Sequence, residues 1–214
     1  HAIVDHVSNR RRTGHSIHDT LSSSAPAPGG GSVAALCGAM SAALSAMVGT
    51  LTSGKKGYEA MSDAHKENSV KAQALKDAYL HDIDADTAAF NGIMDAFALP
   101  KKTDEDKQTR RAAIQAATKV AIEVPLSVLE RTVDAIAAAE IAATGNKNAR
   151  SDAGVAGLTA RACAEGAYYN VLINLDGFKD LAYAQAATAR ADAALEQVTR
   201  RSDALASAIR AELS

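Results

Sequence analysis

Asp86 is the residue whose surroundings best suit proton chemistry. It falls on an apolar stripe between Ile83 and Phe90, where burial penalises the charged form of a carboxylate and suits it to general acid or base work. The same position would also suit a structural carboxylate paired with a lysine, or the edge of a wide stripe. A second feature is the run Ala25-Pro26-Ala27-Pro28-Gly29-Gly30-Gly31-Ser32. Its prolines stiffen the approach, its glycines admit a ligand close to the backbone, and Ser32 is placed to cap the helix that follows. N–H groups at such a helix start lack backbone partners and can meet polar ligand atoms. The run is no P-loop, because no strand pattern precedes it and no Lys-Ser/Thr follows its last glycine. Lys55 and Lys56 place positive charge beyond the next helix, where cations also simply complement the dipole. Asp152, next to Ser151, offers a carboxylate to a ligand or the same dipole compensation at a helix start.

Composition narrows the field around these residues. A chain of 214 residues, 47% apolar, builds one substantial core but scarcely two. We expect one domain over residues 15–214, with 1–14 a flexible N-terminal segment or in part a cloning scar. A net charge of −2 supplies no field for nucleic acid, and Arg10-Arg11-Arg12 reads as a solvated tail. Cys37 and Cys163 lack any CxxC partner and are expected to be reduced, buried and inert. The histidines (His1, His6, His15, His18, His65 and His81) show no metal-ligand spacing and are expected at the surface, so no metal is expected. No signal-peptide pattern stands near the start, and a cytoplasmic location follows as the simplest expectation.

The elements that must carry these groups are helical throughout. Alanine is abundant, aromatics make up 4%, and the four prolines fall at 26, 28, 100 and 125, so the expected class is all-α. Helices are expected over 15–24, Val33–Thr52, Tyr58–Ala98, Thr103 to Gly145, Ser151–Leu175, and from Asp176-Gly177 to the end. The second spans a stretch with no charge between Asp19 and Lys55. It is long enough for a bilayer but diluted by Ser, Thr, Gly and Ala, which favours a central bundle helix over a membrane span. Gly38, Ala42, Ala46 and Gly49 would let neighbouring backbones approach closely. The third helix carries the stripe Met61, Ala64, Ala72, Leu75, Tyr79, Ile83, Phe90, Met94 and Phe97, and Pro125 should kink the fourth. Helices of about 40 residues run about 60 Å, more than a compact chain of this size needs. An antiparallel bundle of about six helices, several very long and dimerising along its flank, is the expected architecture.

The ordered segments Ser24 to Ala35, Gly54-Lys55-Lys56-Gly57-Tyr58-Glu59, Asp86-Thr87-Ala88-Ala89-Phe90-Asn91, Leu99-Pro100-Lys101, Val124-Pro125-Leu126, Gly145-Asn146, Ser151 to Ala156 and Asn170 to Leu175 resemble the cyclodeaminase/cyclohydrolase family of tetrahydrofolate enzymes. The resemblance covers roughly residues 15 to 185. It implies an all-α homodimer acting on the one-carbon unit that bridges N5 and N10 of a tetrahydrofolate substrate, without a metal. Two reactions follow from it. A cyclohydrolase adds water to the cationic methenyl carbon and opens the ring to the 10-formyl form; a cyclodeaminase lets N10 attack a 5-formimino carbon and releases ammonia. The resemblance makes Asp86 the proton carrier or the electrostatic support of the cationic carbon, with Lys55 or Lys56 placing charge near the ligand. It sets Pro28, Gly29, Gly30, Gly31, Ser32, Asn91 and Asn146 against the substrate and Asp152 at the polar edge of the pterin. Gly57 interrupts the lysine run, so a third cation is lost there. A silent helical dimer that binds folate or a protein is the alternative from a different class.

Overall fold

The computed structural model describes residues 17–214. The segment 1–14, with Arg10-Arg11-Arg12, and the expected start of the first helix at His15 lie outside the described residues. Six helices follow in order: α1 (17–21), α2 (Gly30–Thr52), α3 (Ser62–Ala98), α4 (Asp104–Ala143), α5 (Arg150–Leu175) and α6 (Leu181–Leu213). Among the described residues there is no strand. Short connections reverse the chain at each step from α2 onward, so successive long helices run antiparallel. Helix α2 packs against α3, α4 and α5, while α6 lies outside on α4 and α5.

Local chemistry sets most helix ends. Leu99 leaves helical torsions (ψ 149°) ahead of Pro100, because the proline ring crowds the α conformation of the residue before it. Thr103 then starts α4 with a reciprocal capping box. Its hydroxyl accepts from the Asp106 N–H while the Asp106 carboxylate accepts from the Thr103 N–H, satisfying two N–H groups that would otherwise lack partners. Two other expected starts move. The helix expected from Tyr58 begins with the 3₁₀ turn Glu59–Met61 before Ser62. Ser151 is no cap: a 3₁₀ turn over Lys147–Ala149, pinned by the Asn146 side chain on the Asn148 N–H, feeds α5 from Arg150.

Close backbone approach organises the centre. Gly38, Ala42, Ala46 and Gly49 are all buried along α2. A Cβ at Gly38 would lie 2.6 Å from the Tyr79 ring, and one at Gly49 would lie 2.3 Å from Ser69 Oγ. The Tyr79 ring, fully buried, therefore rests on the bare α2 backbone, and its hydroxyl donates to Thr132. The apolar stripe expected on α3 is partly rotated: His65, Asn68, Ala72, Tyr79, Asp82, Ala89 and Ala96 are buried, whereas Ala64, Met94 and Phe97 face solvent. Alanine on several faces of α3 weakens the periodic signal, so partner geometry selects the seam. The first turns of α4 bury nothing before Ala121, and so the α3–α4 hairpin extends beyond the core.

By length and composition α2 and α4 could each cross a membrane. In this fold α2 packs against three long helices and α4 against four, as core helices must. Helix α4 runs unbroken through Pro125. Proline has no N–H for the carbonyl one turn earlier, Ala121 O; here Asn174 of α5 donates its Nδ2 to that carbonyl at 2.8 Å.

Candidate functional site

The glycine run, Asp86 and the C-terminal part of α5 meet at one end of the bundle. They enclose a cavity of about 240 Å³ walled by Pro26, Ala27, Gly29–Gly31, Asp86, Phe90, Asn170 and Asn174, among others. Gly29 is the N-cap of α2 and makes no side-chain cap. Ser32, expected to cap, instead sits buried in the first turn and donates its hydroxyl to Asp86 Oδ2 at 2.7 Å. The other carboxylate oxygen, Oδ1, has no hydrogen-bond partner among the described residues.

The three glycines are not equivalent. A Cβ on Gly31 would stand 2.1 Å from Asp86 Oδ1, inside any real contact. On Gly30 it would stand 3.5 Å from Asn170 Nδ2, an ordinary contact, and on Gly29 it would meet only Pro26 O at 3.9 Å. Gly31 thus exists to admit the carboxylate. Between α2 and α3 the sequence has built a seat in which a side-chain oxygen rests against the first turn of a helix. The N–H groups of Gly30, Gly31 and Ser32 have no intrahelical acceptor, as at any helix start.

The remaining candidates stand elsewhere. Lys55, Asn146 and Asp152 lie at the opposite end of α2, and a helix of 23 residues is about 35 Å long. There the Lys55 ammonium donates to Asn146 Oδ1 at 2.8 Å and lies 5.8 Å from the Tyr58 ring centre. Asn146 is further held by its N–H on Thr52 Oγ1 and its Nδ2 on Leu51 O. Gly57, a lost cation in the sequence, takes a left-handed turn (φ 88°) and donates its N–H to the Glu59 carboxylate. Lys56 and Asn91 are exposed, Asp152 is half-buried, and Pro28 lies outside the cavity wall. Lys55, Lys56, Asn146 and Asp152 are not brought to Asp86 within this chain.

Several polar groups emerge that the sequence reading passed over. Asp82, one turn before Asp86, is buried in an ion pair with Arg131, whose guanidinium also lies over the Tyr79 ring. Burial pushes the Asp82 carboxyl up, with Arg131 opposing. The i, i+4 spacing of the two aspartates was a legible signal, but Arg131 is 49 residues away. His65, expected at the surface, is 1% exposed. Its Nε2 lies 3.2 Å from Thr144 Oγ1, whose hydroxyl donates to Ile141 O, so Nε2 carries the hydrogen and Nδ1 is left buried without a partner. Burial lowers the pKa of this ring. Both cysteines are free; Cys163 is buried and its thiol is pushed up to about 12, while Cys37 is only half-buried. Among the described residues no three His, Cys, Asp or Glu side chains gather as a metal site.

The chain is similar to known proteins over most of its length. The model of the formiminotransferase-cyclodeaminase family matches residues 14–193. A methenyltetrahydrofolate cyclohydrolase of Methylorubrum extorquens is 46% identical over 78% of this chain and 81% of its own. A formimidoyltransferase-cyclodeaminase of Sus scrofa is 40% identical over 76% of this chain, which spans only 30% of that longer protein. The crystal structure of a formiminotetrahydrofolate cyclodeaminase from Thermotoga maritima superposes with a TM-score of 0.82 at 26% identity, covering 92% of this chain and 94% of its own. The chain belongs to the formiminotransferase-cyclodeaminase family.

Proposed function

We propose that this protein is a methenyltetrahydrofolate cyclohydrolase, converting 5,10-methenyltetrahydrofolate to 10-formyltetrahydrofolate with Asp86 as the proton carrier. The observation that carries the reading is the Asp86 carboxylate, fixed through Oδ2 by Ser32 and free at Oδ1, in the wall of a cavity closed by the glycine run. Its negative charge suits a substrate whose reacting carbon is cationic. In the reaction, Oδ1 takes a proton from water as its oxygen bonds to the methenyl carbon. The tetrahedral carbon then holds a hydroxyl between N5 and N10. Asp86 returns the proton to N5 as the C–N5 bond breaks, and the hydroxyl loses its proton to solvent as the formyl C=O forms. Holding one carboxylate by a single hydrogen bond leaves the other oxygen oriented for both transfers.

The relative of Methylorubrum extorquens, which matches most of both chains, favours the hydrolase. The fold shared with the Thermotoga maritima cyclodeaminase supports the second reading: N10 attacks a formimino carbon and Asp86 serves the departing ammonia.

A cytoplasmic homodimer completes the proposal. Helix α2 bears no charged residue and exposes Val33, Met40, Met47 and Leu51 at near-heptad spacing, while neighbouring α5 exposes Val155, Leu158, Tyr169, Leu172 and Ile173. Apolar stripes of this extent favour burial against a second copy. A partner running antiparallel along α2 would carry its Lys55, Asn146 and Asp152 end toward this chain's Asp86 end.

Purified protein supplied separately with methenyl- and formiminotetrahydrofolate tests the reading. Accelerated loss of methenyl absorbance supports the hydrolase; ammonia release with methenyl gain supports the deaminase; neither result removes both and leaves a silent binding dimer. Asp86→Asn should lower kcat by about 10²-fold or more with little change in Tm, and an unchanged rate would remove Asp86 from the chemistry. Light scattering should give a dimer mass.

A further inference from the structure

The geometry assigns to Asn174 and Asn170 the recognition of the pterin's N–H donors, with Pro125 as the residue that turns Asn174 for the task. This rests on the folate reading above and goes beyond it by naming the groups that read the ring. Pro125, in the middle of α4, supplies no N–H to Ala121 O, and that carbonyl takes the Asn174 Nδ2 hydrogen instead. A carbonyl oxygen only accepts, so the carboxamide atom facing it is nitrogen. The proline thus decides which way the Asn174 amide points. Asn170, one turn earlier on α5, is turned the same way: its Nδ2 donates to Gly166 O at 2.8 Å.

Both side chains line the cavity of Asp86, and neither Oδ1 has a partner among the described residues. Besides Asp86 Oδ1, which serves the water, the cavity wall therefore carries two unengaged acceptors, Asn170 Oδ1 and Asn174 Oδ1. Acceptors held in place call for a ligand edge that donates. A reduced pterin has one, in its 2-amino group and ring N–H groups. The cavity, at about 240 Å³, is smaller than the 300 to 1,000 Å³ typical of sites for whole drug-sized ligands, which suits the bicyclic head with the rest of the substrate leading outward. An asparagine that bonds its own helix one turn back is a common local pattern, and Asn174 also clamps α5 to α4. The experiment must therefore separate clamping from recognition.

Pro125 makes that separation feasible. Asn174→Ala leaves Ala121 O unpaired and should lower Tm; adding Pro125→Ala restores an N–H to that carbonyl and should recover Tm. If the asparagine only satisfies the carbonyl, the double variant should bind and turn over substrate like the wild type. If it reads the ligand, KM for methenyltetrahydrofolate stays raised by 10-fold or more in the double variant, with kcat within about 3-fold. Asn170→Ala, which loses only a bond within its own helix, should raise KM similarly without lowering Tm. A 2-desamino-2-methyl substrate analogue gives an independent readout. It should bind the wild type at least 10-fold more weakly than the natural substrate, and the Asn170→Ala/Asn174→Ala pair should abolish most of that discrimination. Wild-type KM in Asn174→Ala/Pro125→Ala, or undiminished discrimination in the asparagine pair, would overturn the assignment while leaving the folate reading in place. A wild type that binds no reduced folate would remove both.

Discussion

Replacing Gly31 by alanine adds one methyl group at the point where α2 meets Asp86. Its Cβ would lie 2.1 Å from Oδ1, 2.7 Å from Cγ and 2.9 Å from Oδ2, where real contacts essentially never fall below 3.0 Å. The carboxylate must retreat by about 0.9 Å at least. A retreat of that size turns the carboxylate and strains the 2.7 Å bond from Ser32 to Oδ2. A misplacement of about 1 Å of a catalytic group costs on the order of 10²-fold in rate, or about 2.7 kcal/mol of barrier. Stability responds differently, because alanine in a helix is worth about 1 kcal/mol over glycine while a local clash costs about 1 to 3 kcal/mol. The gain offsets only part of the clash, leaving a net loss of about 0 to 2 kcal/mol, so kcat/KM should fall about 10²-fold while Tm drops by a few degrees. Gly30→Ala, whose Cβ only touches Asn170, should be much milder. Gly92→Ala meets nothing within 4 Å and should raise stability at unchanged activity. Steady-state loss of methenyl absorbance, with Tm by circular dichroism, measures all three. Gly31→Ala retaining kcat/KM within 3-fold of the wild type would refute the claim that this glycine exists to seat the carboxylate.

Arg131→Met leaves Asp82 buried without its cation and should cost roughly 3 kcal/mol in urea unfolding, whereas Asp82→Leu with Arg131→Met should recover most of the loss; equal losses in the two would dismiss the pairing. His65 has a depressed pKa in the fold, so the unfolded chain binds more protons between that value and about 6.5. Stability should therefore fall as pH drops below about 6.5. His65→Gln should flatten that part of the profile, and an unchanged pH slope in this variant would place the sensitivity on other groups.

Much of the fold was legible because it is written in local chemistry. Thr103 with Asp106, Leu99 before Pro100, and the small residues facing Tyr79 each act through neighbours in sequence or through a missing side chain. The helix seams were less legible. Alanine has so little hydrophobic contrast that a stripe drawn through Met94 and Phe97 looked as good as the buried line through Ala89 and Ala96.

For the candidate site, the chain's residues alone singled out Asp86 and the glycine run, since a carboxylate on an apolar stripe and three glycines ahead of a helix are anomalies wherever they occur. The sequence alone also determined an all-α class and the resemblance to a folate-enzyme family. Only the tertiary structure decided that Gly31, rather than its neighbours, makes room for Asp86, and that Ser32 serves the carboxylate instead of the helix end. It also decided that Lys55 and Asn146 sit about 35 Å away, at the far end of α2, and that Asn174 answers a carbonyl freed by Pro125. Such pairings join residues some 50 positions apart, and local propensity carries no record of which distant side chain will fill a gap; packing of one helix on another creates both the gap and its partner.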